Sequence, residues 1–163
     1  MMKKLQIWAD GGCRNNGKPN ALGGWGWVAV NNEAIIKEDY GSNPELITNN
    51  QNEIYSITKA LRNLISPVKG LTLNIFMDSA LVVNCINNRW HVAWNKNGWK
   101  NSKKQPVANR ALWDRLLDEI DRIENLGVVV VFNKVKGHSD NDWNNYADTL
   151  VNKAMNDAVA ELA

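Results

Sequence analysis

The 163-residue sequence has little cysteine, a small net charge and no long hydrophobic run. Its two cysteines, Cys13 and Cys85, cannot build a disulfide framework and match no zinc-ligand spacing, which favours a reduced cytosolic protein. The basic N-terminal segment reaches Asp10 before an apolar signal-peptide core could form, and no apolar run approaches membrane-spanning length.

These absences lead us to expect a cytoplasmic location and no membrane partner, and we also expect a monomer. A chain of this length with 44% apolar residues is long enough to bury one core, and we expect a single domain over residues 1–163. The net charge of +2 is too small to indicate a polyanionic partner by itself. Only the distribution of the charges along the chain can do so.

The hydrophobic pattern predicts an α/β domain with a mixed sheet. The first strand alternates over residues 5–9 and runs into Asp10-Gly11-Gly12, which favours a tight turn containing Cys13. The other predicted strands cover residues 24–30, 34–40, 71–77 and 128–135, and the predicted helices cover 50–65, 79–87, 111–125 and a last segment from about 142.

Two acidic residues follow predicted strands. Asp10 precedes two glycines, so it is either a turn aspartate or a ligand at the strand end. Asp78 lies between a strand and a helix, where it can cap the helix and also reach the carboxyl edge of the sheet, at which α/β proteins bind ligands.

Glu53 lies on the apolar stripe of the first predicted helix, with Ile57, Leu61 and Leu64. An unpaired carboxylate there costs several kcal/mol, and a metal ion could compensate for it. The alternative is a capping box formed by Asn50 and Glu53.

Asp148 and Asp142 both border the buried stripe of the last helix, and spacing alone does not choose between them. His138 follows Lys136-Gly137 in the loop before that helix. Beside clustered acids, a loop histidine can transfer protons near neutral pH; without them it is an ordinary exposed residue.

A basic, tryptophan-rich stretch separates Asp78 from Asp114, with no acidic residue between them. Half of the eight tryptophans lie in or next to it. Cations with interleaved aromatic rings suit a nucleic-acid backbone, although Trp90 and Trp94, four residues apart, could instead pack within a helix. The six basic residues are Arg89, Lys96, Lys100, Lys103, Lys104 and Arg110.

Over nearly its whole length, the chain resembles the type 1 ribonuclease H family. The matching motifs are Asp10-Gly11-x-Cys13, Thr48-Asn49-Asn50-x-x-Glu53, Asp78-Ser79, Gly98-Trp99-Lys100 with Pro106-Val107-x-Asn109, and Val135-Lys136-Gly137-His138 ten residues before Asp148. The resemblance implies a five-stranded mixed sheet, with three antiparallel strands and then parallel additions, flanked by helices. It also implies cleavage of the RNA strand of RNA–DNA hybrids, and a basic handle over about residues 87–109.

The resemblance further implies two Mg²⁺ ions, for which Mn²⁺ is a plausible substitute, held by Asp10, Glu53, Asp78 and Asp148. His138 would assist proton transfer or product release. The remaining residues implied to contact the hybrid are Gly11, Cys13, Asn16, Asn49 and Asn50 at the RNA 2′-hydroxyls, Thr48 and Asn109 at a DNA phosphate, and Trp90, Lys96, Trp99, Lys100, Lys103 and Lys104 in the handle.

Three positions depart from the family pattern: Gly12, Ala80 and Leu46, the last where some members carry a phosphate-binding arginine. Two other functions remain open at this point. A non-catalytic hybrid-binding module of the same fold would be expected to lack an acid, and none of the four is missing. A related nuclease or integrase is disfavoured by Glu53 and by the basic handle.

Overall fold

The computed structural model describes residues 3–136 and 141–162. Within them, five strands and five helices follow one another in an α/β order. The strands are β1 (Lys4–Arg14), β2 (Leu22–Asn31), β3 (Ala34–Gly41), β4 (Thr72–Met77) and β5 (Val129–Lys134), and the helices are α1 (Asn49–Arg62), α2 (Ala80–Asn87), α3 (Trp90–Asn97), α4 (Arg110–Asn125) and α5 (Asp142–Leu162).

The strands form one mixed sheet in the order β3-β2-β1-β4-β5. Strands β1, β2 and β3 pair antiparallel, whereas β4 pairs parallel with both β1 and β5. This confirms the mixed five-stranded sheet that the sequence predicted. The parallel pairing brings the carboxyl ends of β1 and β4 to the same edge of the sheet.

Helices cover both faces of the sheet. A Cβ on Gly11 would meet the backbone of α1, whereas a Cβ on Gly12 would meet Val151 of α5. Because successive residues of a strand point to opposite faces, α1 and α5 lie on opposite sides of β1. The larger core lies beneath α1, where Ile7, Leu73 and Ile54 are at most 1% exposed.

The predicted turn at Asp10-Gly11-Gly12 is wrong. Strand β1 continues to Arg14, and Asp10 pairs with Gly26 of β2. The glycine at position 11 serves close packing instead, since its Cβ would lie 2.3 Å from the backbone carbon of Asn52. Cys13 therefore lies in a strand rather than in a turn.

Helix α3 occupies part of the polar stretch for which no element was predicted. It begins after Arg89 and ends at Gly98, both of which have a positive φ. The ring of Trp94 lies 6.4 Å from that of Trp90 and 5.2 Å from that of Trp99. Trp94 also lies 5.7 Å from Trp113 of α4, and this contact packs the helix against the domain. None of the helices in the described residues is long and apolar enough to cross a membrane.

Candidate active site

Three carboxylates meet at the edge of the sheet. Asp10 comes from β1, Glu53 from α1 and Asp78 from the residue after β4, and one oxygen of each lies within 4.8 Å of the others. The parallel pairing of β1 with β4 brings the two aspartates together, and the glycine at position 11 lets α1 approach closely enough to deliver Glu53.

Asp148 of α5 brings a fourth carboxylate to this group. Its side chain is within hydrogen-bonding reach of Asp10, and its negative charge raises the pKa of Asp10. Asn152, one turn later, donates a 3.4 Å hydrogen bond to Asp148 Oδ2. Asp142, which spacing alone could not distinguish from Asp148, is exposed at the start of α5. We call Asp10, Glu53, Asp78 and Asp148 the acidic centre.

Crowding and burial raise the pKa of two of these acids. Burial raises the pKa of Asp10 to about 9, aided by the charges of Asp78 and Asp148 and opposed by the Gly11 N–H. Burial likewise raises the pKa of Glu53 to about 7, with a hydrogen bond from Ser79 acting in the opposite direction. The four carboxylates therefore repel one another, and a bound cation would relieve that repulsion.

The donors of the acidic centre fit a hard divalent cation. All four are carboxylates, and the side chain of Asp10 is buried, at 6% exposed. Mg²⁺ prefers such oxygen ligands and retains water molecules beside one or two carboxylates. The residues present therefore fit a divalent metal ion.

The alternative capping roles of Glu53 and Asp78 are wrong. Thr48 is the N-cap of α1, and it forms a capping box with Gln51 rather than with Glu53. Ser79 is the N-cap of α2, where its Oγ accepts a 3.2 Å hydrogen bond from the Val82 N–H. Because neighbouring residues satisfy both helix ends, the two acids remain available to the acidic centre.

Two hydrogen bonds join residues that the resemblance implies contact the RNA strand. The Cys13 N–H donates to Asn49 Oδ1 at 2.7 Å, and the Asn49 N–H donates to Asn16 Oδ1 at the same distance. These hydrogen bonds connect the end of β1, the following loop and the start of α1. Asn50 is exposed beside them, whereas Gly11 is buried against α1.

The basic handle presents its lysines and buries part of its aromatic surface. Trp90 is half-buried, but Trp99 is only 5% exposed, and its Nε1 donates to Asn95. Arg110 stacks on the Trp99 ring with its guanidinium carbon 4.8 Å from the centroid. Trp99 therefore supports the handle from inside. The exposed lysines of the handle are Lys96, Lys100, Lys103 and Lys104.

Two residues at the site were not selected from the sequence. Ser79 contacts Glu53, and Gln51 joins the start of α1 to Asn109 through a 3.2 Å hydrogen bond from its Nε2 to Asn109 Oδ1. The spacing Thr48-x-x-Gln51 is itself a capping-box pattern and could have pointed to Gln51. His138 lies outside the described residues.

Comparisons with known proteins agree with this architecture. A family model described as RNase H matches residues 2–156. A ribonuclease H of Clostridium botulinum is 40% identical over 158 residues, covering 96% of this chain and 98% of the relative. One from Moorella thermoacetica is 40% identical over 154 residues, covering 94% and 93%.

Solved structures share the fold at lower identity. A type 1 RNase H with the type 2 active-site motif superposes with a TM-score of 0.78 at 24% identity, covering 96% of this chain and 74% of that one. An RNase H1 in complex with an RNA/DNA hybrid gives 0.69 at 22% identity, covering 95% and 99%. The extent of the family match and the identity to the curated relatives show that this chain belongs to the RNase H family.

Proposed function

We propose that this protein is an endonuclease that hydrolyses the RNA strand of RNA–DNA hybrids and leaves 5′-phosphate and 3′-hydroxyl ends. The observation that carries the proposal is the convergence of Asp10, Glu53 and Asp78 within 4.8 Å, with Asp148 beside them. Two findings support the choice of substrate. The chain belongs to the RNase H family, and a solved structure of the same fold has an RNA/DNA hybrid bound.

The proposed cofactor is Mg²⁺, with two ions held by the acidic centre and Mn²⁺ as a substitute. When bound, such ions activate the attacking water and stabilise the leaving 3′ oxygen. The protein's own contribution is to hold the ligands in place. The Gly11 N–H donates to Asp10 Oδ1 at 2.9 Å, and the hydrogen bond with Ser79 orients Glu53.

The segments around Cys13 and Asn49, together with the handle, would position the hybrid. Recognition of RNA requires contact with its 2′-hydroxyls, and the hydrogen-bonded Cys13, Asn16 and Asn49 supply polar groups from the end of β1, the loop after it and the start of α1. The exposed lysines of the handle supply positive charge for the DNA strand. A role for His138 in proton transfer, a cytoplasmic location and a monomeric state remain predictions.

The test compares cleavage of an RNA-labelled hybrid, single-stranded RNA and duplex DNA, in Mg²⁺ and in chelator. We expect only the hybrid to be cut, and only with metal. D148N should lose at least about 100-fold in rate, because it removes a ligand charge, whereas D142N serves as the matched control and should cut like the parent. Equal cutting of all three substrates, or cutting in chelator, would contradict the proposal.

A further inference from the structure

The side chain of Gln51 connects the start of α1 to the start of α4. Its Oε1 accepts hydrogen bonds from the N–H groups of Ile47, at 2.7 Å, and Thr48, at 3.2 Å. Its Nε2 donates to Asn109 Oδ1 at 3.2 Å. One neutral side chain thus joins two segments that are 58 residues apart in sequence.

These partners fix the orientation of both amide groups. A backbone N–H can only donate, so the oxygen of the Gln51 amide must face Ile47 and Thr48. The NH₂ of Gln51 then faces Asn109, and because this group also only donates, Asn109 must present its oxygen. The NH₂ of Asn109 consequently points away from Gln51, and none of the residues that the structure describes accepts a hydrogen bond from it.

Gln51 also orients the side chain of Thr48. Its Oγ1 accepts a 3.1 Å hydrogen bond from the backbone N–H of Gln51, which leaves its hydroxyl proton free to donate elsewhere. Thr48 and Asn109 therefore each keep a donor for an external acceptor. An anionic phosphate oxygen is the acceptor that the family resemblance places there.

The side chain of Asn109 contacts Gln51 and does not cap helix α4. Asn109 is the N-cap of α4 with a φ of 63°, yet its side chain makes no capping hydrogen bond. Its oxygen is committed to Gln51 instead. Some family members carry a phosphate-binding arginine at the position of Leu46. Leu46 is apolar and only 6% exposed, so this position supplies no cation to bind the phosphate.

We propose that Gln51 is a positioning residue that orients Thr48 and Asn109 to hold a phosphate of the DNA strand. This inference rests on the proposed function and names a residue that determines substrate affinity at the same site. Gln51 touches neither the acidic centre nor the reacting atoms, so it should act on binding and not on the chemical step.

The test uses Q51E, N109A and the double variant. Glutamate retains the oxygens that accept from Ile47 and Thr48 and is compatible with a capping box, so the urea midpoint of Q51E should match that of the parent. It cannot donate to Asn109, whose amide must then turn its NH₂ inward. We expect the KM for the hybrid to rise about 10-fold with kcat within about 2-fold, as for loss of one hydrogen bond to a charged group.

The double variant distinguishes two effects of Q51E: the loss of the Asn109 orientation and the repulsion of the hybrid by the new carboxylate. If Gln51 acts through Asn109, adding Q51E to N109A should raise KM by less than about 2-fold. An equal increase in the N109A background would indicate simple repulsion of the hybrid and overturn the inference, as would an unchanged KM in Q51E. If the parent does not cleave the hybrid at all, the proposed function fails; hybrid binding in chelator, followed by fluorescence anisotropy, then still tests Gln51 with the same variants.

Discussion

Replacing Asp10 by asparagine should stabilise the metal-free protein while abolishing its activity. Asp10 is 6% exposed, and its pKa is raised from 3.8 to about 9 by burial and by the charges of Asp78 and Asp148. Asparagine has nearly the same shape and retains an oxygen that can accept from the Gly11 N–H. The substitution removes the charge and preserves that contact.

The sign and the size of this change in stability follow from proton linkage. A carboxyl group whose pKa is raised in the folded state contributes its full stability below the unfolded pKa, and that stability is lost as pH rises through the folded pKa. The window for Asp10 therefore runs from about pH 4 to about pH 9. Each pH unit within it costs the parent up to about 1.4 kcal/mol, or up to about 4 kcal/mol between pH 4 and pH 7. D10N does not incur this cost.

The assay is urea unfolding in chelator at several pH values. We expect the stability advantage of D10N over the parent to be small near pH 4 and to grow steadily toward pH 8. D118N, which removes an exposed acid on α4, should follow the parent at every pH. Mg²⁺ at 100 times its Kd should stabilise the parent by about 2.7 kcal/mol and should have much less effect on D10N. A pH-independent difference, or a less stable D10N at pH 7, would refute the reasoning.

Three further predictions concern the acidic centre and the handle. The apparent Mg²⁺ affinity, measured from cleavage at varied metal, should increase between pH 6 and pH 8, because the pKa of Glu53 is raised to about 7 and protons compete with metal below it; an unchanged affinity would contradict this. G11A should lower the unfolding free energy by about 1–3 kcal/mol and reduce cleavage, since its Cβ would lie 2.4 Å from the Glu53 nitrogen; parent-like unfolding and activity would argue against that packing. In the variant K100A/K103A/K104A, the slope of log Kd against log salt concentration should decrease by up to about three. K37A, which removes an exposed lysine outside the handle, should keep the slope of the parent. Equal slopes for all three proteins would exclude the handle as a phosphate-binding surface.

The fold was largely predictable because hydrophobic periodicity encodes elements that bury one face. Ile57 and Leu61, which share the apolar stripe of the first predicted helix, both lie in the core. The extent of β1 was not predictable in this way. Gly11 and Gly12 are typical of turns, and only the approach of α1 and α5, which is a tertiary contact, explains glycines inside a strand.

The acidic centre was predictable only in part from single residues. Glu53 on an apolar stripe indicated a compensated carboxylate, but the local patterns at Asp10 and Asp78 fitted turns and caps equally well. Their true surroundings depend on the pairing of β1 with β4. Helix α3 was missed because its first residue follows a positive φ at Arg89, and because Trp94 packs on Trp99 and Trp113, which both lie outside the helix.

The most direct test of the acidic centre as a metal site is anomalous scattering from a crystal grown with Mn²⁺. We predict two peaks about 3.5–4 Å apart, with Asp10, Glu53, Asp78 and Asp148 as their protein ligands. Peaks elsewhere with none among these four carboxylates would contradict the account.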